Sequence, residues 1–469
     1  MKKSIINILI TGLLILILGS CSRDFVETKF YQDKKAGQIT SLAELHSFMS
    51  GVYVQMRVPA YYGANFLAFG EMHSDGMFVT GKGGHYVGVA SYSMNSNTSN
   101  VVKTWDAMYQ TVRLANEVIN VKNEQFSDYS KDPQAVIAAV NNYKAQAYAV
   151  RAQVFFDVLR LYGQKYTNAS NWGAVLPLTV DTDRKQARAT IAETQAQIEK
   201  DFKNALEFIK DVNGSPIRLN ETSIKALMTR YYLYKKDYAK VRQLANDVIG
   251  KKVYSVLTAN NLLKAYKTDL NEDSIFEIAV GVQSSNGTSS YDSYLNSDAY
   301  ASIGVLNSTL DFYEPQDIRL KLIYKHPKTG RLYLDNKFPR HTGEGNIKMM
   351  RYEELLLNAA EAELNGGSSA KAMDYYNQIR KNRGLASSSK VTLEDIKKER
   401  MRELLGEGFR FWDLLRWNAV IPYYDQRGDR IESRDKQIPD NLLAFPIPSG
   451  ETNVKNSPVQ PNPGYDNFK

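Results

Sequence analysis

Apolar residues recur at helical spacing along most of this chain, in segments divided by short polar breaks. In 41–57, Leu42, Leu45, Phe48, Met49 and Val52 share one face, Ser41 stands at the N-cap position, and Glu44 follows three residues later. The same period predicts helices at about 103–121, 134–162, 191–211, 221–235, 238–250, 351–365, 369–383 and 392–406. Residues 58–100 lose the period and fill with Gly, Ser, Asn and Tyr. Residues 274–282 read as a strand, and 283–350 as an irregular strand-and-loop insert. The tail 421–469 is loop-like and carries Pro446, Pro448, Pro458, Pro461 and Pro463. The pattern is mainly α, with a loop-rich minority.

The helices echo one another. Leu114-Ala-Asn-Glu-Val-Ile119 and Leu244-Ala-Asn-Asp-Val-Ile249 are nearly the same hexapeptide. Leu233, Lys240, Asn246 and Val248 recur at identical spacing as Leu364, Lys371, Asn377 and Ile379. Each set is broken once, near Tyr234–Asp237 and at Gly366-Gly367-Ser368. Two short helices joined by a tight turn, with Ala, Tyr and Leu at the seam, resemble tetratricopeptide units. One-sided apolar faces of this kind must stack to be buried.

The N-terminus carries a different pattern. Met1-Lys2-Lys3 is basic, Ile8 to Leu18 is apolar, and Leu18-Gly19-Ser20-Cys21 supplies small residues before the only cysteine of the chain. That layout predicts a signal peptide over 1–20 and resembles a bacterial lipoprotein box, with Cys21 acylated and 21–40 a lipid-anchored tether. The apolar run falls short of the roughly 20 residues a membrane span needs. The chain is thereby expected outside the cytoplasm, hung from a membrane with its polypeptide in water. With its one cysteine committed to lipid, no internal disulfide can form.

The formal charge of +8 becomes +6 once Lys2 and Lys3 are removed, and the charges are scattered without a polybasic block. Nucleic acid is not an expected partner. More unusual are 30 tyrosines against 18 phenylalanines, since tyrosine serves both helix packing and wet recognition surfaces. Catalytic signatures are missing. Gly76-Met-Phe-Val-Thr-Gly81-Lys82 has phosphate-loop spacing, but Gly83 stands where Ser or Thr should hold magnesium. Asp269-Leu-Asn271-Glu-Asp273 imitates a calcium loop, yet Ser274 replaces its glycine and Val280 its bidentate Glu. His46, His73, His85, His326 and His341 include no i, i+4 pair, and no Gly-x-Ser-x-Gly elbow exists. Glycosidic cleavage would need carboxylates paired in space, for which the sequence offers no support. The expectation is a protein that is not an enzyme and needs no metal and no cofactor.

The C-terminal third is the most distinctive. Arg351-Tyr-Glu-Glu-Leu-Leu-Leu-Asn-Ala-Ala-Glu-Ala362 is followed by Asn377-Gln-Ile-Arg380-Lys-Asn-Arg383-Gly384, then by Glu399-Arg400-Met-Arg-Glu403-Leu404. Glu407-Gly408-Phe-Arg410-Phe-Trp412-Asp413-Leu414-Leu-Arg416-Trp417 comes next, and the chain closes on Phe445-Pro-Ile-Pro448, Glu451 and Pro461-Asn-Pro-Gly464-Tyr465. This succession resembles the SusD/RagB family of surface lipoproteins, and the helix from Ala147 to Gly163 is similar to that family's N-terminal half. The resemblance implies a SusD-like fold: about four tetratricopeptide-like helix pairs supporting a loop-rich face with a few short strands. It also implies an outer-membrane, outward-facing binding protein for nutrient uptake, seated on a SusC-like TonB-dependent transporter. The ligand would be an oligosaccharide or, in RagB-like members, a peptide; a non-catalytic scaffold is the further alternative. Its motif residues, among them Arg351, Glu399, Arg400, Glu403 and Glu407, read as a structural charge network, and Phe409, Phe411, Trp412 and Trp417 as packing. Regions at 41–215 and 216–469, the latter with the variable insert 283–350, are expected.

Two segments stand out as recognition loops. Residues 81–100 and 281–300 each have 13 of 20 positions as Gly, Ser, Asn or Tyr. Tyrosine gives contact area at small entropy cost, while Ser and Asn adapt their hydrogen bonds. The candidates are Tyr86 and Tyr92 from the first, and Tyr291, Tyr294 and Tyr300 from the second. Tyr61 and Tyr62 could join them, with Asp75, Asn95, Asn97, Asn296 and Asp298 as polar partners. Trp105 and Tyr109, within a predicted helix, read as core.

Overall fold

Many helices in this chain start where a side chain closes their first turn, and their apolar faces find neighbours. The computed structural model describes residues 35–465 except 170, 180–185 and 212–213. The signal peptide, Cys21 and most of the tether lie outside the described residues. In α1 (Leu42–Met56) the Ser41 hydroxyl accepts from the Glu44 N–H, and the Glu44 carboxylate accepts from the Thr40 N–H at 2.9 Å. A short helix, α2 (Asn65–Met72), leads to β1 (Met77–Val79). Then come α3 (Ser99–Ile119) and the long α4 (Pro133–Tyr162), opened by Asp132 and a proline at its first position. The ribbon β2 (Trp172–Val175) and β3 (Arg188–Thr190) precedes α5 (Ile191–Phe208), which starts on a Thr190–Glu193 capping box.

α6 (Glu221–Lys235) turns into α7 (Tyr238–Gly250) through Lys236, which takes a left-handed φ of 61°. β4 (Ser274–Ile278), the single-turn α8 (Tyr291–Leu295), β5 (Ile303–Val305), β6 (Tyr324–Lys325), β7 (Leu332–Tyr333) and β8 (Ile347–Arg351) occupy the middle of the chain. α9 (Tyr352–Leu364) and α10 (Ser369–Asn382) form the second helix pair of the echo, with Gly366 at φ 94° where the first pair has Lys236. α11 (Leu393–Leu404) and α12 (Arg410–Arg416) complete the labelled helices. None of the described helices is long and apolar enough to cross a membrane.

Consecutive helices pack as hairpins: α3 on α4, α4 on α5, α6 on α7, and α9 on α10, with α9 also touching α7 and α11. The recurring asparagine works at such a seam, where Asn246 donates to Glu363 and accepts from the Tyr375 hydroxyl at 2.6 Å. α4 is buried on nearly all sides from Ala145 onward, because α3 and α5 cover it together. Each Val, Leu or Phe it removes from water is worth about 1.5–3 kcal/mol. The fold is mainly α, with helix pairs supporting short strands and loops. Among the described residues, three antiparallel sheets complete it: β1-β5-β7-β6, β2-β3 and β4-β8.

Two elements depart from the apolar pattern. In α2 seven of eight residues are buried, so no polar stripe marks its period. It docks on α12, where Phe66 stacks on Trp412 with centroids 5.8 Å apart. Gly70 makes this possible: a Cβ there would stand 2.1 Å from the Gly408 carbonyl oxygen. The second departure is ionic. Arg351 reaches Asp273, Glu353, Glu403 and Glu407, Arg383 reaches Glu353 and Glu403, and Arg319 reaches Asp317, Glu399 and Glu403. These contacts lie at 2.6–3.3 Å with the arginines buried. The three guanidiniums hold the Glu403 carboxyl well below the usual range against the opposing effect of burial. Arg400 belongs to a separate cluster with Asp413 and Asn358.

Candidate functional site

The two Gly/Ser/Asn/Tyr-rich segments meet because β1 and β5 pair in the register Val79↔Ile303. Past the last rung, the Thr80 N–H donates to the Ser302 carbonyl at 2.9 Å and the Thr80 hydroxyl to the Ala301 carbonyl at 2.7 Å. Ala301 is left-handed at φ 50°, and Gly81, Gly83, Gly84 and Tyr86 all have positive φ across the joint. The two loops therefore turn sharply, side by side, at one end of the four-stranded sheet.

What they present is a cluster of rings. Tyr294 and Tyr300 are close to parallel, at 17° with centroids 5.6 Å apart. His85 leans on both, 4.9 Å from Tyr294 and 4.4 Å from Tyr300. Tyr300 is 36% exposed, and Tyr294 and His85 are half-buried. Tyr86 stands behind them: its ring is buried, lies 5.2 Å from Tyr294, and its hydroxyl donates to Asn65 at 2.9 Å. Asp298 and Lys82 are exposed beside the cluster in sequence. A partly exposed aromatic surface with polar groups at its rim suits a ligand with apolar C–H faces and hydroxylated edges.

Several expected contact residues have other duties. Tyr61 and Tyr62 are buried and donate to Asp157 at 2.5 and 2.6 Å, so both hydroxyls are spent inside. Asp75 forms a two-pronged ion pair with Arg410 at 2.6 and 2.7 Å. Tyr92, at φ 55°, lays its ring on His73 at 4.2 Å. Asn95 closes the turn before α3 by accepting from the Asn97 N–H, while exposed Asn97 accepts from the Ser449 hydroxyl. Tyr291 is buried against Phe338, and Asn296 is buried with its amide donating to the Phe338 carbonyl. Tyr61, Tyr62, Tyr86, Tyr291 and Asn296 are thus buried, and Asp75, Tyr92 and Asn95 are engaged by other groups of the protein. Of the twelve expected contact residues, Tyr300, Asp298 and Asn97 are exposed, and Asp75, Tyr92, Asn95 and Tyr294 are half-buried. His85 escaped the sequence reading, which weighed it only as a metal donor; its place beside Tyr86 in the glycine-rich loop was the available signal.

Two cavities lie elsewhere. One of about 70 Å³ sits behind α8, lined by Tyr62, Tyr291, Asp292, Lys337 and Arg340 among others, and burial pushes the Asp292 carboxyl up to about 7. The other, about 510 Å³, opens between α3 and the C-terminal tail. Trp105 and Tyr109 form one wall of it, packed at 4.5 Å, and the Trp105 indole N–H donates to Glu451 at 3.2 Å. Among the described residues, no three His, Cys, Asp or Glu side chains converge as metal donors.

Comparison with known proteins gives a consistent result. The model of the SusD family matches residues 322–465, and the model described as "starch-binding associating with outer membrane" matches residues 24–233. The SusD-like protein P2 of Formosa agariphila is 24% identical, over 99% of this chain and 100% of its own. A SusD superfamily protein from Bacteroides thetaiotaomicron superposes with a TM-score of 0.80 at 26% identity, covering 90% of this chain and 100% of that one. A SusD-like carbohydrate binding protein from Bacteroides vulgatus superposes with a TM-score of 0.75 at 18% identity, covering 90% and 97%.

Proposed function

Because the chain belongs to the SusD family, we propose that it captures an oligosaccharide on the Tyr294–Tyr300–His85 platform and delivers it to a SusC-like TonB-dependent transporter. The family is one of carbohydrate-binding proteins associated with the outer membrane. The single observation that carries the reading is the convergence of the two loops on three mutually packed rings. A pyranose offers a C–H face to such rings and hydroxyls to the rim. Binding without turnover is part of this reading, since SusD-like relatives are named for carbohydrate binding. Acylated Cys21 anchors the protein to the outer membrane, facing outward, and residues 21–40 tether the body formed by 41–215 and 216–469.

The test is a titration of purified protein with oligosaccharides, with a pooled peptide digest in parallel. Replacing both tyrosines, Y294A/Y300A, is expected to weaken oligosaccharide binding about tenfold or more, since each aromatic contact is worth about 0.5–1.5 kcal/mol. Unchanged affinity in that variant removes the platform from the site. Release of reducing ends contradicts the non-catalytic reading, and capture of peptides alone replaces the ligand class. Mass spectrometry of the mature N-terminus checks the acyl group on Cys21, and co-purification of a large β-barrel checks the transporter.

A further inference from the structure

We infer that the platform selects oligosaccharides bearing an anionic substituent, a carboxylate or a sulfate, received by the loop 81–85 at its edge. This rests on the reading of the platform as an oligosaccharide site. The loop is cationic and open. Lys82 is exposed and makes no ion pair among the described residues. No Asp or Glu occurs from 76 to 105, so nothing acidic near it in sequence neutralises it.

The hydrogen bonds fix how His85 is offered. Ser302 Oγ donates its one proton to the Lys82 carbonyl at 3.1 Å, so it accepts from His85 Nδ1–H at 2.9 Å. The remaining ring nitrogen, Nε2, has no protein partner among the described residues. The same serine thus ties the backbone that carries Lys82 to the ring that packs on Tyr294 and Tyr300. The conformation of the loop adds donors. Gly81 and Gly83 are left-handed on either side of Lys82, the alternation that gathers successive backbone N–H groups into an anion-binding concavity. The Lys82 N–H is used by the Thr80 hydroxyl and the Gly84 N–H by the Gly81 carbonyl. Those of Gly83 and His85 have no partner among the described residues.

Neither Asp298 nor Asp335 makes an ion pair with Lys82 among the described residues. Asp335 is engaged by the Ser297 N–H at 2.9 Å and the Ser297 hydroxyl at 2.5 Å. Asp298 is exposed two residues before Tyr300, which leaves the rim polarised, negative on the 298 loop and positive on the 82 loop. A ligand with a single negative group is oriented by that polarity as well as held by it.

The experiment compares hexasaccharides of equal length: oligogalacturonate for carboxylate, carrageenan-derived oligosaccharides for sulfate, and maltohexaose and laminarihexaose as neutral probes. Tighter binding of at least one anionic probe is expected, with affinity falling several-fold between about 0.05 and 0.3 M NaCl as screening grows. K82Q is expected to weaken the anionic probe about fivefold and any neutral probe by clearly less; Lys82 is exposed, so folding is preserved and a melting curve verifies it. Which anionic probe wins distinguishes carboxylate from sulfate. Neutral probes binding as well as or better than both anionic ones overturns the inference and leaves the oligosaccharide reading standing. An anionic probe that is insensitive to K82Q and to salt overturns it as well. Binding of none of the four defeats the oligosaccharide reading itself, and the inference with it.

Discussion

Glu71 shows how much a single side chain can decide in this molecule. It is fully buried at the C-terminal end of α2, and one of its oxygens accepts from the N–H groups of Gly408 (2.7 Å) and Phe409 (3.0 Å). Burial outweighs those bonds and pushes its carboxyl up to about 7. A folded-state value above the unfolded one means that the folded protein binds the extra proton. The stabilisation is complete below about 4.5 and is lost as the pH climbs through about 7. E71Q keeps an acceptor for both N–H groups and cannot ionise. Urea midpoints at about pH 5 and about pH 8 are expected to differ less in E71Q than in the unmodified protein, by up to roughly 3 kcal/mol. At the same scale, tyrosine content marks the two loops but not which of their rings face outward. Tyr86 turns inward and Tyr300 outward because of left-handed backbone at Tyr86 and Ala301, and composition carries no record of that choice.

At the level of elements, the helices that could be read were the long ones, several with a capping side chain at their start. Residues 221–235 and 238–250 were delimited by the pattern at the bounds they take, because caps at Asn220 and Asp237 reinforce the periodicity. α2 was illegible because its eight residues span barely two turns with no polar stripe, and β1, β5, β6 and β7 are too short for a period-2 signal. What holds α2 in place is contact between two glycines. G70A would drive a methyl group into the Gly408 carbonyl, and neither backbone can yield without moving α12. A loss of about 1–3 kcal/mol is expected, read as a lower melting temperature together with altered fluorescence from Trp412.

Across the whole molecule, residues 162–188 are tied to the C-terminal segment 445–462. Arg188 in β3 donates to the Asn462 side chain at 2.8 Å and to the carbonyls of Gln460 and Tyr162. Asn462 also accepts from Gln164 and donates to the carbonyls of Tyr162 and Phe445. It is 4% exposed, so every one of those partners loses its bond in a place water cannot refill. N462A is expected to cost about 2–4 kcal/mol while calorimetry still records a single transition. Long-range stitching of this kind could not be foreseen from 160–190 or 445–465 alone, because neither segment is periodic. The motif Pro461-Asn-Pro counts among the residues that carry the family resemblance, and the sequence shows nothing of the contacts its asparagine makes.

The serine that bonds to both Lys82 and His85 has a thermodynamic consequence. Rings already braced against one another, on a backbone already fixed by β1 and β5, have little rotational freedom left to surrender when a guest arrives. Preorganisation of that sort spares the association an ordering penalty of about 0.5–1.5 kcal/mol for each side chain that need not be immobilised. A shallow surface with only a few rings can then retain a flexible guest.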